Sequence, residues 1–305
     1  MQPLAGTLVV DLTRNLPGPF ASRVLLRLGA RVVRLESPDG DPVRDVAPEW
    51  DERLNAGKES VLCDLKSDPE LGRALLARAD VVLEGFRPRV AERLGVGPAA
   101  VPDTAVYCSI TGFGEGDTRV GHDLNYMGWA GGLEKTAPAM PPLPIADLAA
   151  GALTAVTRVL AALLERAQSG RGARIVVSMT HEAHELAHFG GPLTGELPYY
   201  RIYETADGEF ITLAALEPHF WDRFCELIER PDLLDRRHDA HDELATLFRT
   251  RRFASWWQLF EGQDVCVGPV STLSEASEAF GSIPNGGKAP RLGEHTDGWR
   301  RELGL

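Results

Sequence analysis

The feature that most constrains this chain is an alternation, through its first half, of short continuous apolar runs with stretches of helical periodicity. Thr7–Leu12, mostly β-branched residues and leucine, reads as a strand. Pro19–Leu28 follows as a helix, with Ala21, Val24, Leu25 and Leu28 at helical spacing. Arg31–Leu35 and Ser60–Leu65 read as further strands, Leu71–Ala79 as a helix, and Asp80–Phe86 and Ala105–Ile110 as two more strands. Strands alternating with helices of this length imply parallel βαβ units, and continuous apolar strands imply burial on both faces. Helices over Asp123–Leu133 and Leu148–Gln168 and a strand over Ala173–Met179 continue the pattern. The fold class is therefore α/β, with a Rossmann-like parallel sheet in a large domain at 1–190.

Beyond Gly190–Leu197 the composition shifts. Tyr199–Tyr203 and Phe210–Ala214, joined through Ala206-Asp207-Gly208, form a hairpin signal, since Asp-Gly suits a tight turn. Helices near Glu217–Ile228, Asp242–Thr250 and Phe253–Phe260, a strand at Asp264–Val270 and a short helix at Ser274–Phe280 complete the region. A smaller α+β domain is expected at 191–270, with a tail at 271–305 returning to the large domain. A net charge of −12 without a basic stripe argues against nucleic acid as a partner. No apolar run approaches the ~18–20 residues of a bilayer span, and Met1–Leu4 lacks the features of a signal peptide. Four separated cysteines, Cys63, Cys108, Cys225 and Cys266, read as reduced thiols, and a cytoplasmic location without a membrane partner is expected.

The chemistry concentrates in two segments. Gly121-His122-Asp123-Leu124-Asn125-Tyr126 places an imidazole at the start of one element, and Pro144-Ile145-Ala146-Asp147-Leu148 places a carboxylate at the start of another. Two such groups can flank one carbon and pass a proton from face to face, provided each lies within reach and titrates near the working pH. Histidine meets that condition unperturbed, and an aspartate meets it when partly buried. Pro17-Gly18-Pro19 places a tight turn at a helix start, where ligands of open α/β sheets bind. Thr111–Asp117 is glycine-rich but lacks the spacing of a phosphate loop, and reads as a flexible loop that gates a site. His184-Glu185-Leu186-Ala187-His188 matches H-E-x-x-H, so a zinc peptidase through His184 and His188 is a distant alternative, although Gly190-Gly191-Pro192 ends the helix at once.

Ordered segments along nearly the whole chain carry a resemblance. They include Leu4–Leu12, Leu28–Glu36, Asp64-Leu65-Lys66, Ala79–Pro88, Glu92–Gly95, Ser109–Gly114, Ala161–Arg166, Ser169–Gly172, Leu216–Phe220 and Asp264–Val270, with the two segments of the preceding paragraph. Together they resemble the family III CoA-transferase (CaiB/BaiF-type) superfamily, and within it the α-methylacyl-CoA racemases. The resemblance implies that Asp147 is the nucleophile of a transferase or an acid/base of a racemase, that His122 is the racemase's second acid/base, and that Glu217 holds that histidine. It implies CoA contacts at Asn15, Leu16 and Pro17, at Lys66, at Gly85 and Phe86, and at Arg93. It also implies an interlocked homodimer, an acyl-CoA substrate, and no cofactor beyond the CoA carried by that substrate. Two departures stand out: the segment between Met179 and Tyr199 is short, and Ser37 stands where a phosphate-binding arginine is common, with Arg34, Arg44 or Lys58 as candidate substitutes. The expected reaction is inversion of the α-carbon of a 2-methylacyl-CoA by two-base proton transfer, with CoA transfer between acids through Asp147 as the alternative. Backbone amides beside Asp147 are candidates to hold the enolate oxygen.

Overall fold

The computed structural model describes residues 1–281 and 287–305; residues 282–286, within the expected tail, lie outside the described residues. The chain divides into two compact units, the first built from residues 1–187 with the C-terminal stretch, the second beginning at His188.

In the first unit, β1 (Leu8–Asp11), α1 (Pro17–Arg27), β2 (Arg31–Glu36), α2 (Val43–Val46), α3 (Pro48–Asn55), β3 (Glu59–Leu62), α4 (Glu70–Leu76), β4 (Val81–Glu84), α5 (Val90–Arg93) and β5 (Val106–Thr111) follow in order. Then come α6 (Asp123–Trp129), a π-helical segment (Ala146–Leu153) that runs into α7 (Thr154–Ser169), β6 (Ala173–Ser178) and α8 (Met179–Ala187). The six strands form one sheet in the order β3-β2-β1-β4-β5-β6, every neighbouring pair parallel. This is the doubly wound order in which the chain reverses direction between β1 and β4. The expected parallel α/β architecture is what forms.

Strand periodicity partitions the core. Val9, Val32, Val81, Leu83, Val106 and Cys108 point to one face, against α1, the π-helical segment and α7. Their neighbours Val10, Val33, Val61, Val82 and Tyr107 point to the other, against α4 and Trp299. Alternate side chains on a strand face opposite ways, so a run that is apolar throughout needs cover on both sides. The joined helix Ala146–Ser169 is long and apolar enough to cross a membrane by length and composition. This is the helix expected from sequence at Leu148–Gln168, begun two residues earlier by the π-helical segment and carried one residue further. Here the apolarity serves the core, where Ala150, Ala155, Val159 and Ala162 are buried against the sheet.

The turn from β1 into α1 is tight. A Cβ on Gly18 would lie 1.9 Å from Thr13 Oγ1 and 2.1 Å from Thr13 Cβ, and the Thr13 hydroxyl is already bonded to Asp11. Gly18→Ala is therefore expected to destabilise the protein by roughly 1–3 kcal/mol, the usual scale of overpacking. Urea unfolding measures this, and an unchanged midpoint contradicts it.

The second unit carries β7 (Tyr200–Glu204), β8 (Phe210–Ala214), α9 (Pro218–Leu227), α10 (His241–Phe248), α11 (Phe253–Phe260), β9 (Val267–Pro269) and α12 (Leu273–Phe280). Its antiparallel sheet β7-β8-β9 is packed by an aromatic cluster of Trp221, Phe224, Phe248, Trp256 and Phe260. The last helix, α13 (Thr296–Leu303), returns to the first unit and seats Trp299 in its core. The four cysteines are free thiols, three buried and Cys266 partly so.

Candidate active site

In a parallel sheet every connection leaving a strand begins at the same edge. That topology brings the candidate residues of the first unit together. The β1–α1 turn with Asn15, Leu16 and Pro17, the Gly85-Phe86 pair after β4, and Lys66 after β3 all lie beyond the carboxyl ends of the strands. His122 precedes α6 after β5, and Asp147 opens the helix whose far end feeds β6, so both belong to this edge as well. The reversal of strand order between β1 and β4 leaves a crevice there, the general ligand position in open α/β sheets.

The β1–α1 turn differs from a usual anion-binding helix start. Asn15 takes the left-handed conformation (φ 67°) and its N–H is held by Asp41 Oδ1 at 3.2 Å. Helix α1 begins at Pro17 and has a second proline at position 19, and neither carries an N–H. The helix thus offers fewer free amides than expected, and the nearby cationic side chains are the candidates to meet an anion. Lys66 and Arg93 are exposed, as are Arg87 and Arg89; Lys66 flanks the crevice beyond β3, and the three arginines follow β4. The Gly85-Phe86 turn is fixed by Glu84, whose Oε2 accepts the Phe86 N–H at 2.7 Å.

None of Arg34, Arg44 and Lys58 stands in for the arginine absent at Ser37. Arg34 is buried and bonded to Asp41. Arg44 clasps both oxygens of Glu36 at 3.0 Å. Lys58 is buried against backbone and hydroxyl oxygens.

At the other side of the edge, His122 is the N-terminal boundary of α6, with extended backbone (φ −125°, ψ −179°). Its N–H donates to Asn125 Oδ1 at 3.0 Å, and its ring is exposed. The next residue makes the link to Asp147: Asp123 Oδ1 accepts the Asp147 N–H at 2.8 Å. The start of α6 is thereby tied to the start of the π-helical segment, a conformation that recurs at functional sites. Asp147 is half-buried, and desolvation first, then the like charge of Asp123, push its carboxyl up to about 7. Tyr126 is also raised, by burial and then by Asp147 and Asp123; its hydroxyl donates to the Gly121 carbonyl. The Asp147 N–H is committed to Asp123 and that of Leu148 to Pro144 O. These two amides are thus not available to an enolate oxygen, contrary to the expectation from sequence.

The Thr111–Asp117 loop is held rather than loose. Gly112 O accepts from Thr180 N–H at 3.0 Å and from its hydroxyl at 2.7 Å, Gly114 N–H donates to Thr111 Oγ1 at 3.0 Å, and Phe113 is buried edge-on to Tyr126. One of its glycines serves close packing: a Cβ on Gly112 would sit 2.6 Å from the Tyr126 ring. The H-E-x-x-H motif does not assemble either. Helix α8 ends at Ala187, one residue short of His188, and the Nδ1 of His184 lies 2.9 Å from the Ala130 carbonyl. Among the described residues no group of three His, Cys, Asp or Glu side chains could hold a metal ion. Glu217 lies in the second unit as the N-cap residue of α9.

Asp123 is the residue that sequence reasoning passed over, because only its contact with Asp147 reveals it. Asp123→Asn keeps an acceptor for the Asp147 N–H and removes the like charge. The ionisation of Asp147 in the pH profile of kcat/KM is expected to move to lower pH by up to about one pH unit, with burial still holding it above the ordinary carboxylate range. An unmoved profile contradicts the coupling.

Fold and site define an α/β enzyme whose candidate acid/base side chains, His122 and Asp147, stand beyond the carboxyl ends of a parallel sheet. Residues 4–286 match the model of CoA-transferase family III, and the chain belongs to that family. It is 31% identical to human alpha-methylacyl-CoA racemase, with 99% of this chain and 94% of that protein covered. It is 29% identical to mouse succinyl-CoA:glutarate CoA-transferase, covering 94% of this chain and 76% of that one. Among solved structures, Rv3272 from Mycobacterium tuberculosis superposes with a TM-score of 0.83 at 27% identity, over 98% of this chain and 99% of that one.

Proposed function

We propose that this enzyme is an acyl-CoA racemase that inverts the α-carbon of a 2-methyl-branched acyl-CoA by two-base proton transfer between His122 and Asp147. The observation that carries the reading is the state of Asp147, held near neutrality by burial and by Asp123. A group that must take a proton in one direction and give it in the other works best when it titrates near the working pH. A nucleophilic carboxylate must be ionised to attack, and a raised pKa lowers the fraction ionised at neutral pH.

The thioester acidifies its α-proton because the developing charge spreads onto the carbonyl oxygen. One of the two groups removes that proton, and the other returns one to the opposite face of the planar enolate. Neither a metal nor a redox cofactor enters the reaction. The nucleotide end of CoA is placed at the crevice, over Asn15, Leu16, Pro17, Gly85 and Phe86, with Lys66 and Arg93 meeting its phosphates. Glu217 keeps the supporting part that the resemblance implies.

The names of several relatives favour a second reading, CoA transfer. There Asp147 attacks the thioester carbonyl, giving an acyl-aspartyl anhydride and the CoA thiolate; the thiolate attacks the aspartyl carbonyl and frees the donor acid; the acceptor carboxylate then displaces the thiolate from Asp147 and receives it at its own carbonyl, which restores Asp147. Incubation of acyl-CoA with enzyme in heavy water separates the two. Wash-in of α-deuterium with inversion and without any acceptor acid supports the racemase. A covalent adduct on Asp147, with turnover only when an acceptor acid is added, overturns it.

A homodimer is also proposed. Val120, Trp129, Met140 and Leu143 of the first unit are 63–69% exposed, and apolar surface of this kind commonly marks an interface. Light scattering is expected to give twice the chain mass, and a monomer at micromolar concentration contradicts the assignment.

A further inference from the structure

Behind the β1–α1 turn lies a group of buried charged side chains that proton transfer at Asp147 does not use. Asp11, the last residue of β1, is 1% exposed. Its Oδ1 accepts the Thr13 N–H at 2.9 Å and the Thr13 hydroxyl at 2.5 Å, and its Oδ2 accepts the Ser22 hydroxyl at 2.5 Å. Lys58, just before β3, reaches under the turn. Its Nζ donates to Pro19 O at 2.8 Å, to Ser22 Oγ at 2.7 Å and to Asn55 Oδ1 at 2.9 Å, and lies 3.9 Å from Asp11.

Three acceptors match the three donors of an ammonium, whereas a neutral amine has only two N–H groups. Burial opposes that charge and draws the group down to about 7, with Asp11 the largest counterweight. A buried pair of this kind adds little stability over an apolar filling of the same volume. What it provides is geometry, because Lys58 holds Pro19 and Ser22, and Asp11 holds Thr13 and Ser22, from the core side of the turn.

We propose that Lys58 is a positioning residue: through Pro19 and Ser22 it fixes the β1–α1 turn on which the nucleotide end of CoA docks. The inference rests on the reading that CoA binds at this crevice. Lys58 itself touches no substrate, since its ammonium is turned inward and its three donors are all engaged.

The test compares wild type, Lys58→Met and Ser22→Ala, using binding of CoA by calorimetry and turnover of one acyl group carried on CoA or on pantetheine, which lacks the nucleotide. Lys58→Met is expected to weaken CoA binding and raise KM for acyl-CoA about 10- to 100-fold, the cost of a site displaced by a fraction of an ångström to an ångström. Turnover of the pantetheine thioester and kcat on acyl-CoA are expected to stay within about two-fold of wild type, since neither depends on docking the nucleotide. Because Lys58→Met strands the Asp11 carboxylate in the core, Ser22→Ala is the milder companion, with the same pattern at smaller size. Equal losses on both thioesters, or unchanged CoA binding in variants that fold, overturn the proposal. A wild-type protein that binds no CoA overturns the underlying reading and this inference with it, whereas tight wild-type binding with no change in the variants overturns this inference alone.

Discussion

Asp147→Asn is expected to abolish turnover while making the protein more stable at pH 8. Loss of a general acid/base costs about 100- to 10,000-fold in rate, and the same loss follows if Asp147 is a nucleophile, so activity alone does not separate the two reactions. Stability is the distinctive part. The folded-state carboxyl is raised from 3.8 to about 7. A group raised on folding contributes stability that is complete below its unfolded pKa and is lost as pH rises through the folded one. The wild type must therefore keep an ionised carboxylate buried above pH 7, and the asparagine variant does not. The variant is expected to gain about 2–4 kcal/mol at pH 8, because each tenfold change in proton affinity between the folded and unfolded chain corresponds to roughly 1.4 kcal/mol. The gain should shrink between pH 7 and pH 4 and vanish below it. Chemical denaturation at pH 8 and pH 4 measures this; an equal effect at both would mean that Asp147 is not strained by burial.

His122→Ala is expected to cut inversion by about 100- to 10,000-fold, the range of one general acid/base group, with little change in stability. The ring is exposed, and the bond from its N–H to Asn125 Oδ1 uses the backbone, which alanine retains. The telling readout is stereochemical. With the imidazole removed, Asp147 can still exchange the proton on its own face, so one epimer should exchange slowly with heavy water without inverting. The opposite epimer should not exchange at all. Full inversion in the variant contradicts the two-base assignment, and an unimpaired acid-dependent CoA transfer identifies the enzyme as a transferase.

The legible part of this protein is local. Val9-Val10, Val32-Val33 and Val81-Val82-Leu83 announce buried parallel strands because each strand needs apolar residues on both faces, and that requirement is written in consecutive letters. Helices α1 and α7 show their periodicity in the same way. The short elements α2, α3 and α5 escaped, since four to eight residues rich in charge carry no apolar period. The anchoring of the Thr111–Phe113 end of the glycine-rich loop escaped, because Gly112 admits Tyr126 and the Thr180 hydroxyl at close range, contacts with residues well outside the loop.

The sequence alone determined that the chain is an α/β protein, that an imidazole and a carboxylate begin two successive elements, and that a tight turn follows the first strand. These follow from spacing and residue type. Tertiary structure alone decided that the crevice lies between β1 and β4, that Asp123 sits on the Asp147 amide and helps hold its carboxyl near neutrality, and that Arg34 and Lys58 are engaged inside the core rather than at the surface. The reason is electrostatic and geometric. The charge a side chain carries depends on which groups lie within a few ångströms and how much water they exclude, and partners distant along the chain meet only once it has folded.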